Sequence, residues 1–228
     1  MATFYVIGTP IGNLEDITLR ALRILKEVDV ILCEDTRVTS RLLEKYAINT
    51  PTQSYHSQSS LGKTELIIQM IKEGKNLALV SDAGTPSISD PGSKLLSIIR
   101  EQCTPEEVTI VAVPGPSALI SALSVAGVPV SEFTFLGFLP HKKGRETLFK
   151  EIAAAERTMV FYESPHRILK TLESLATFLE GVGAKVTVAR ELTKIYEEVK
   201  QGTPVEVLEY FKTNEDKVRG EFVVVVSK

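Results

Sequence analysis

Cysteine is scarce in this chain of 228 residues, which contains only Cys33 and Cys103. Their spacing fits neither a zinc site nor a disulfide framework, and His56 and His141 have no metal-ligand neighbours, so we expect no bound metal. Two cysteines without a framework are most simply interpreted as the thiols of a reduced, cytoplasmic protein.

Long apolar runs are also missing from the sequence. The longest runs, such as Phe222 to Val226, are far too short to span a bilayer, so we expect no association with a membrane. The N-terminal residues Met1 to Val6 carry no basic region before their apolar run, and we interpret them as a first strand rather than a signal peptide.

Positive charge is not in excess, because 26 Lys and Arg residues are balanced by 29 Asp and Glu residues, for a net charge of −3. This balance argues against a protein that coats nucleic acid by bulk charge, and it leaves room for a local basic face. One candidate for such a face runs from His141 to Arg145, and the alternative is a solvated loop followed by a helix surface.

Two common phosphate-binding patterns are absent as well. Gly8 and Gly12 lie between a predicted strand and a predicted helix, but they match neither the dinucleotide fingerprint nor a phosphate loop. We therefore do not expect a nucleoside triphosphatase. A glycine loop at a helix N-terminus still offers backbone N–H groups to a ligand.

Apolar runs alternate with amphipathic stretches along the whole chain, which is typical of an α/β protein. The first half predicts a largely parallel sheet. In the second half, the short connection from Glu191 to Glu198 predicts a hairpin and therefore a mixed sheet. The predicted domains are residues 1–114 and residues 115–228.

Several helix boundaries can be predicted from capping residues. A helix is expected from Leu61 to Glu73 with Ser59 or Ser60 as its cap, and a short one from Thr39 to Tyr46. Three further helices are predicted to open where proline follows a capping residue. These starts are Asp90-Pro91, Ser164-Pro165 and Thr203-Pro204.

Short loops rich in glycine and proline follow several of the apolar strands. At the carboxyl ends of strands in an α/β protein, such loops form the expected ligand crevice, although any one of them is equally a tight turn. The segment from Ser81 to Gly92 is long for a compact domain, which favours a function. The loops are residues 8–13, 81–86, 89–92, 114–117 and 162–167.

Charged side chains stand at the ends of two predicted strands. Glu34, Asp35 and Arg37 form a carboxylate pair with an arginine, which can bind a polar substrate or accept a proton. The alternative is that Asp35 or Thr36 caps the helix behind it. Glu163 is interpreted as a base or a hydrogen-bond partner, or simply as an (i, i+4) partner of Arg167.

Taken together, these motifs resemble those of one known family. The resemblance covers nearly the whole chain, and the combination of segments is specific although no single one is. The matching segments are residues 6–14, 33–37, 80–92, 113–118, 135–140, 161–168, 189–194 and 220–222. In this order they closely resemble the ribosomal RNA small subunit methyltransferase I family of the tetrapyrrole-methylase-like group.

The resemblance implies a fold and an activity. The implied fold has two α/β domains of tetrapyrrole-methylase type, with S-adenosylmethionine as methyl donor in the cleft between them and no metal. The implied reaction is methylation of the ribose 2′-oxygen of a cytidine in 16S rRNA, the RNA of the small ribosomal subunit, near the decoding centre. The implied assembly is a homodimer that acts on rRNA or on the 30S particle.

The resemblance also assigns residues to the donor and places others toward the RNA, among them Glu34, Asp35 and Arg37. Our hypothesis for these three is that Glu34 or Asp35 accepts the ribose proton or orients the hydroxyl, and that Arg37 positions the ribose or a phosphate. The donor would be bound by Pro10, Asp82, Ala83, Gly84, Thr85, Ser117, Ala118, Leu136 and Ala189. Glu163, His166 and Arg167 would also lie toward the RNA, and an RNA substrate favours the basic residues Lys142, Lys143 and Arg145 as further RNA contacts.

The chain departs from the family pattern at one point. The family often carries Tyr-His-Glu-His-Asn where this sequence has Tyr55-His56-Ser57-Gln58-Ser59. The identity of the proton acceptor therefore stays open between Glu34 and Asp35. Two alternative functions also stay open, namely a methylase of small tetrapyrroles and a non-catalytic, ligand-sensing protein that binds RNA.

Overall fold

A computed structural model describes residues 1–56, 61–90 and 92–228. The chain forms two compact units, Met1–Ser117 and Ala118–Lys228, each built around one five-stranded sheet. The departure at Ser57 to Ser59, the predicted cap at Ser59 or Ser60, and Pro91 lie outside the described residues.

The sheet of the first unit is parallel throughout, in the order β3-β2-β4-β1-β5. Since all five strands run the same way, their carboxyl ends meet at one edge of the sheet, and the loops that follow them are neighbours. The strands are β1 (Ala2–Ile7), β2 (Val30–Cys33), β3 (Thr52–Ser54), β4 (Leu77–Val80) and β5 (Val108–Val113).

Alternating side chains of these strands pack against helices on both faces of the sheet. In β1, Phe4 belongs to one buried cluster and Ile7 to the other, as the two-residue period of a strand requires. Thr18 caps the first helix by accepting a hydrogen bond from the Ala21 N–H at 3.1 Å. The helices are α1 (Leu19–Glu27), α2 (Thr36–Lys45), α3 (Leu61–Lys72) and α4 (Gly92–Gln102).

The second unit has a mixed sheet in the order β6-β7-β10-β8-β9. The strand β10 is antiparallel to both of its neighbours, so β6, β7 and β8 end at the same edge. The predicted hairpin after Arg190 is confirmed, because β8 and β9 pair antiparallel. The strands are β6 (Phe133–Phe138), β7 (Thr158–Glu163), β8 (Lys185–Arg190), β9 (Glu198–Gly202) and β10 (Phe222–Ser227).

One buried core joins this second sheet to its helices. Alternate residues of β10, such as Phe222 and Val224, pack with Phe211 and Leu172 from two of the helices. Thr203 and Glu206 form a reciprocal capping box with Pro204 in the first turn, which confirms the predicted start of the last helix. The helices are α5 (Ala118–Val125), α6 (Arg145–Ala154), α7 (Ile168–Phe178) and α8 (Pro204–Thr213).

Two predicted helix starts were wrong by about one turn. The helix α2 begins at Thr36 rather than Thr39, because Asp35 caps it. The helix α7 begins at Ile168 rather than at Ser164-Pro165, because Arg167 has φ −125 and residues 165–167 form a turn closed on the Ser164 carbonyl. The strand β3 was not predicted, since its three residues are polar and form no apolar run.

The predicted α/β class is confirmed by the two sheets and their flanking helices. Within the described residues, no helix combines the length and the apolar character needed to cross a bilayer.

Candidate active site

The loops after β1 and β4 are tied together at the carboxyl edge of the first sheet. Thr9 and Gly84 exchange backbone hydrogen bonds, at 2.9 Å from the Thr9 N–H and 3.1 Å from the Gly84 N–H. The buried Thr9 hydroxyl also donates to the Ser81 carbonyl at 3.0 Å. Because the partners are main-chain atoms, these two loops form one backbone surface that does not depend on bulky side chains.

The loop after β5 joins this surface through a contact between two glycines. A Cβ atom on Gly115 would lie 2.6 Å from the carbonyl oxygen of Gly8, and one on Gly8 would lie 2.8 Å from the Cα of Gly115. Only glycine permits backbones to approach this closely. The Thr85 hydroxyl adds a contact of 3.4 Å to the Pro116 carbonyl. Three of the predicted loops therefore meet at one place.

Most of the residues predicted to bind the donor in the first unit lie on this surface. Asp82 and Ala83 are exposed, Thr85 is half-buried, and Pro10 is buried beside Thr9. Gly84 has φ +82, a conformation that a side chain would strain. The loop therefore presents small residues, main-chain groups and one exposed carboxylate side chain, that of Asp82, to any ligand bound there.

Glu34 lies beside the same loop at the end of β2. Its carboxylate accepts a hydrogen bond from the Asp82 backbone, and the residue is half-buried. Burial raises the pKa of Glu34 above its usual 4.5, and the negative charges of Asp90 and Asp82 raise it further. Glu34 is therefore a better proton acceptor than an ordinary exposed glutamate.

Asp35 is used differently, as the cap that one of the alternative interpretations expects. Its Oδ1 accepts from the Arg37 N–H at 2.9 Å, and its two oxygens accept from Arg37 Nε and Nη2 at 3.0 and 2.6 Å. The Arg37 guanidinium, followed by its backbone N–H, lowers the pKa of Asp35 to about 2. A carboxylate held in this way is a weak base. The backbone N–H of Asp35 donates a hydrogen bond to Asp82 Oδ1 at 3.1 Å.

A second turn within the loop after β4 is held in an unusual backbone conformation. Ser87 and Ser89 have φ of +76 and +62, which costs roughly 1–3 kcal/mol for each such residue. Asp90 stabilises the turn, because its Oδ1 accepts from the N–H groups of Ser87 at 2.6 Å and Gly92 at 2.8 Å. The sequence predicted Asp90 as a helix cap, but nothing in it indicated that Asp90 would also influence Glu34.

The remaining residues predicted to bind the donor lie further along the chain. Ser117 is half-buried at the end of the first unit, and Ala118 is the first residue of α5. Leu136 packs partly against the core of the second unit, next to Gly137, which has φ +64. Ala189 is buried within β8. A donor contact by any of the four stays a prediction.

The residues predicted to meet RNA divide into an exposed and a buried group. Lys142, Lys143 and His166 are exposed, and the two lysines lie in the loop after β6. Glu163 is only 2% exposed and forms the (i, i+4) ion pair with Arg167, at 3.2 Å, that the alternative interpretation expects. Its enclosed carboxylate can hold neighbouring arginines, but it offers almost no surface to a polymer.

No group of three or more His, Cys, Asp or Glu side chains in the described part of the chain is arranged to hold a metal ion. Cys33 is buried at the end of β2, and burial is the main reason that the pKa of its thiol is raised.

Comparison with known proteins places this chain in a family. The model of the tetrapyrrole (corrin/porphyrin) methylases matches residues 3–207. The chain is 47% identical over 228 residues to the ribosomal RNA small subunit methyltransferase I of Thermotoga maritima, covering 100% of this chain and 99% of that protein. The protein of the same name from Bacillus subtilis (strain 168) is 43% identical over 227 residues, which are 99% of this chain and 75% of the relative.

Solved structures share the fold at much lower identity. The methyltransferase CobJ matches with a TM-score of 0.69 at 20% identity, covering 100% of this chain and 93% of that one. The cobalt precorrin-4 methyltransferase CbiF matches with a TM-score of 0.68 at 18% identity, covering 99% and 94%. With this fold and with nearly half of its residues identical to a relative from end to end, the chain belongs to the tetrapyrrole methylases and, among them, to the ribosomal RNA small subunit methyltransferase I family.

Proposed function

We propose that this protein transfers a methyl group from S-adenosylmethionine to the ribose 2′-oxygen of a cytidine in 16S rRNA, in the decoding region of the small ribosomal subunit. The observation that carries the proposal is the full-length similarity to relatives named for methylation of small-subunit rRNA. The arrangement of loops and charges at the edge of the first sheet supports it. A homodimer is part of the same proposal.

The surface formed by the loops after β1 and β4 fits a donor of this kind. S-adenosylmethionine supplies an electrophilic methyl group on a sulfonium. The main-chain groups of Ala83, Gly84 and Thr85 would bind its polar atoms, and the Asp82 carboxylate would accept from its hydroxyl or amino groups. The small residues of the loop let a ligand lie directly against the backbone.

The acceptor side of the reaction needs alignment and a proton acceptor. Alignment of the two reacting groups supplies the larger share of the rate, on the order of 7–11 kcal/mol. A ribose hydroxyl is a poor nucleophile, so a base that takes its proton increases the rate further. Between the two carboxylates left open by the sequence, Glu34 is the proposed base, since Arg37 holds the pKa of Asp35 at about 2. Asp35 then fixes Arg37 and the start of α2.

The proposed RNA contact is made by Lys142 and Lys143. We expect Lys142→Ala/Lys143→Ala to weaken binding to 30S particles and to reduce the slope of log K against log salt by roughly 0.7–0.9 for each phosphate that the protein no longer neutralises. Affinity for S-adenosylmethionine should not change. The measurement is a salt titration of binding to labelled particles.

The matched control is Lys185→Ala/Lys228→Ala. Both lysines are exposed, and they lie at the opposite edge of the same sheet, where β8 begins and β10 ends. The control removes the same charge from the protein, so it should leave the slope as in the wild type. Equal slopes for the two double variants would exclude a specific role of the loop lysines.

The function itself is tested by methyl transfer to small-subunit RNA. Unmodified 30S particles and free 16S rRNA are incubated separately with the protein and methyl-labelled S-adenosylmethionine, and the RNA is digested and mapped by mass spectrometry. We expect label on the ribose of one cytidine. Label in an added porphyrinoid and none in RNA would indicate a tetrapyrrole methylase, and binding of donor and RNA without transfer would indicate a sensing protein.

A further inference from the structure

A buried carboxylate in the second unit has no part in the chemistry proposed above. Glu163 ends β7, and its side chain is fully enclosed. Its Oε1 accepts from the Ser164 N–H at 2.8 Å and lies 3.2 Å from Arg167 Nε. Its Oε2 accepts from the Thr171 hydroxyl at 2.7 Å. Both oxygens are therefore engaged within the protein.

A second arginine depends on the same carboxylate through Thr171. Arg145 Nη2 donates to the Thr171 hydroxyl at 2.7 Å, and Arg145 Nη1 lies 3.9 Å from Glu163 Oε2. Burial lowers the pKa of Arg145, and the charge of Glu163 opposes that effect. Two largely buried guanidinium groups are thus compensated by one carboxylate, and its removal would leave their charge without a partner.

Both guanidinium groups in turn hold the backbone of one loop. Arg167 Nη2 donates to the Leu139 carbonyl at 2.6 Å, and Arg145 Nη1 donates to the Pro140 carbonyl at 3.3 Å. These carbonyls directly precede residues 141–144, which we call the basic loop and which contain Lys142 and Lys143. Arg145 directly follows it as the first residue of α6.

The basic loop is therefore fixed at both ends by one ionic cluster, while its own side chains are exposed. Ordering a flexible lysine-rich loop during binding costs affinity, so a loop that is already ordered binds phosphates more tightly. We propose that Glu163 is a positioning residue for RNA binding, which acts through Arg145 and Arg167 to hold the basic loop in the conformation that meets the RNA backbone. This role rests on the proposed function, and it assigns Glu163 no contact with substrate.

The test compares Glu163→Gln with the wild-type protein, because glutamine keeps the shape and removes the charge. We expect amide hydrogen exchange in peptides covering residues 139–145 to become at least about tenfold faster, which is the effect of removing one charge-assisted hydrogen bond. The KM for 30S particles should rise about tenfold for the same reason, with kcat changed by less than about twofold. Affinity for S-adenosylmethionine should stay the same.

Thr171 provides a second pair of variants that keep the ionic groups in place. Thr171→Ser retains the hydroxyl between Arg145 and Glu163 and should behave as the wild type. Thr171→Val has the same shape without the hydroxyl, so it should raise both the loop exchange and the KM for 30S particles. This pair decides the question even if Glu163→Gln fails to fold.

Two results would overturn the positioning role. One is a fall in thermal stability of Glu163→Gln or Thr171→Val with unchanged KM for 30S particles, which is the result expected of a purely structural cluster. The other is an unchanged rate of amide hydrogen exchange in the basic loop of these variants. That measurement does not depend on which substrate the protein methylates. A wild-type protein that neither binds nor methylates 30S particles would instead contradict the proposed function.

Discussion

Glu34→Gln is expected to lower kcat/KM for methyl transfer by roughly 10²–10⁴-fold, the usual contribution of a general base. The physical reason is that burial and the charges of Asp82 and Asp90 raise the pKa of Glu34, which makes its carboxylate the more basic of the two candidates. Glutamine has the same shape and cannot take a proton. The measurement is the initial rate of methyl transfer at limiting 30S concentration, with donor affinity measured separately.

Asp35→Asn is the matched control for this prediction. Asparagine is as good a helix cap as aspartate, so α2 keeps its start, and the variant loses only the ion pair with an exposed Arg37. Exposed ion pairs contribute little, so we expect the rate to fall by less than about tenfold. Full activity of Glu34→Gln together with a large loss in Asp35→Asn would transfer the role of base to Asp35.

The pH dependence separates the two carboxylates a second time. A base must be deprotonated to act, so kcat/KM falls as the pH drops through the pKa of the base. With Glu34 as base, this fall lies above pH 4.5, the usual pKa of a glutamate. With Asp35 as base, it would lie near pH 2. In Glu34→Gln the fall above pH 4.5 should disappear, and its persistence would contradict the assignment.

That the loops lie at one edge of the sheet could be predicted from the sequence, because it depends only on the strands being parallel. Glycine- and proline-rich segments after apolar runs predict loops at the carboxyl ends of such strands. The order of the strands was not predicted, and the structure shows that β1 lies between β4 and β5. The sequence could not predict which glycines touch. The contact between Gly8 and Gly115 joins positions more than a hundred residues apart, so no local sequence pattern predicts it.

The roles of individual carboxylates could not be predicted for a related reason. Glu34 and Asp35 are adjacent in the sequence and chemically similar, and their pKa values diverge because Arg37 pairs with one while Asp82 and Asp90 surround the other. Nothing in the sequence indicated that Thr171 would bond two charged side chains, since a threonine within an amphipathic helix is common. Its hydrogen bonds to Glu163 and Arg145 form only because the fold brings α7 beside the end of β7 and the start of α6.

Gly115→Ala is expected to destabilise the first unit and to weaken donor binding together. The added Cβ would lie 2.6 Å from the carbonyl oxygen of Gly8, and since both sides of the contact are backbone, one of the two loops must move. Forcing an extra methyl group into such a contact costs about 1–3 kcal/mol. The thermal unfolding midpoint should fall by several degrees.

The same displacement should reach the proposed donor surface, because Gly8 is followed directly by Thr9, whose backbone is paired with Gly84. We expect affinity for S-adenosylmethionine, measured by calorimetry, to fall about tenfold, as for the loss of one or two hydrogen bonds. Gly62→Ala is the control, since Gly62 is exposed in α3 and, apart from its own helical backbone and chain neighbours, no atom of the described residues lies within 4 Å of its added Cβ. Since alanine is the better helix former, that change should not destabilise the helix, and it should leave donor affinity unchanged. A Gly115→Ala protein that is destabilised but binds the donor normally would show that the contact between the glycines supports the fold without shaping the site.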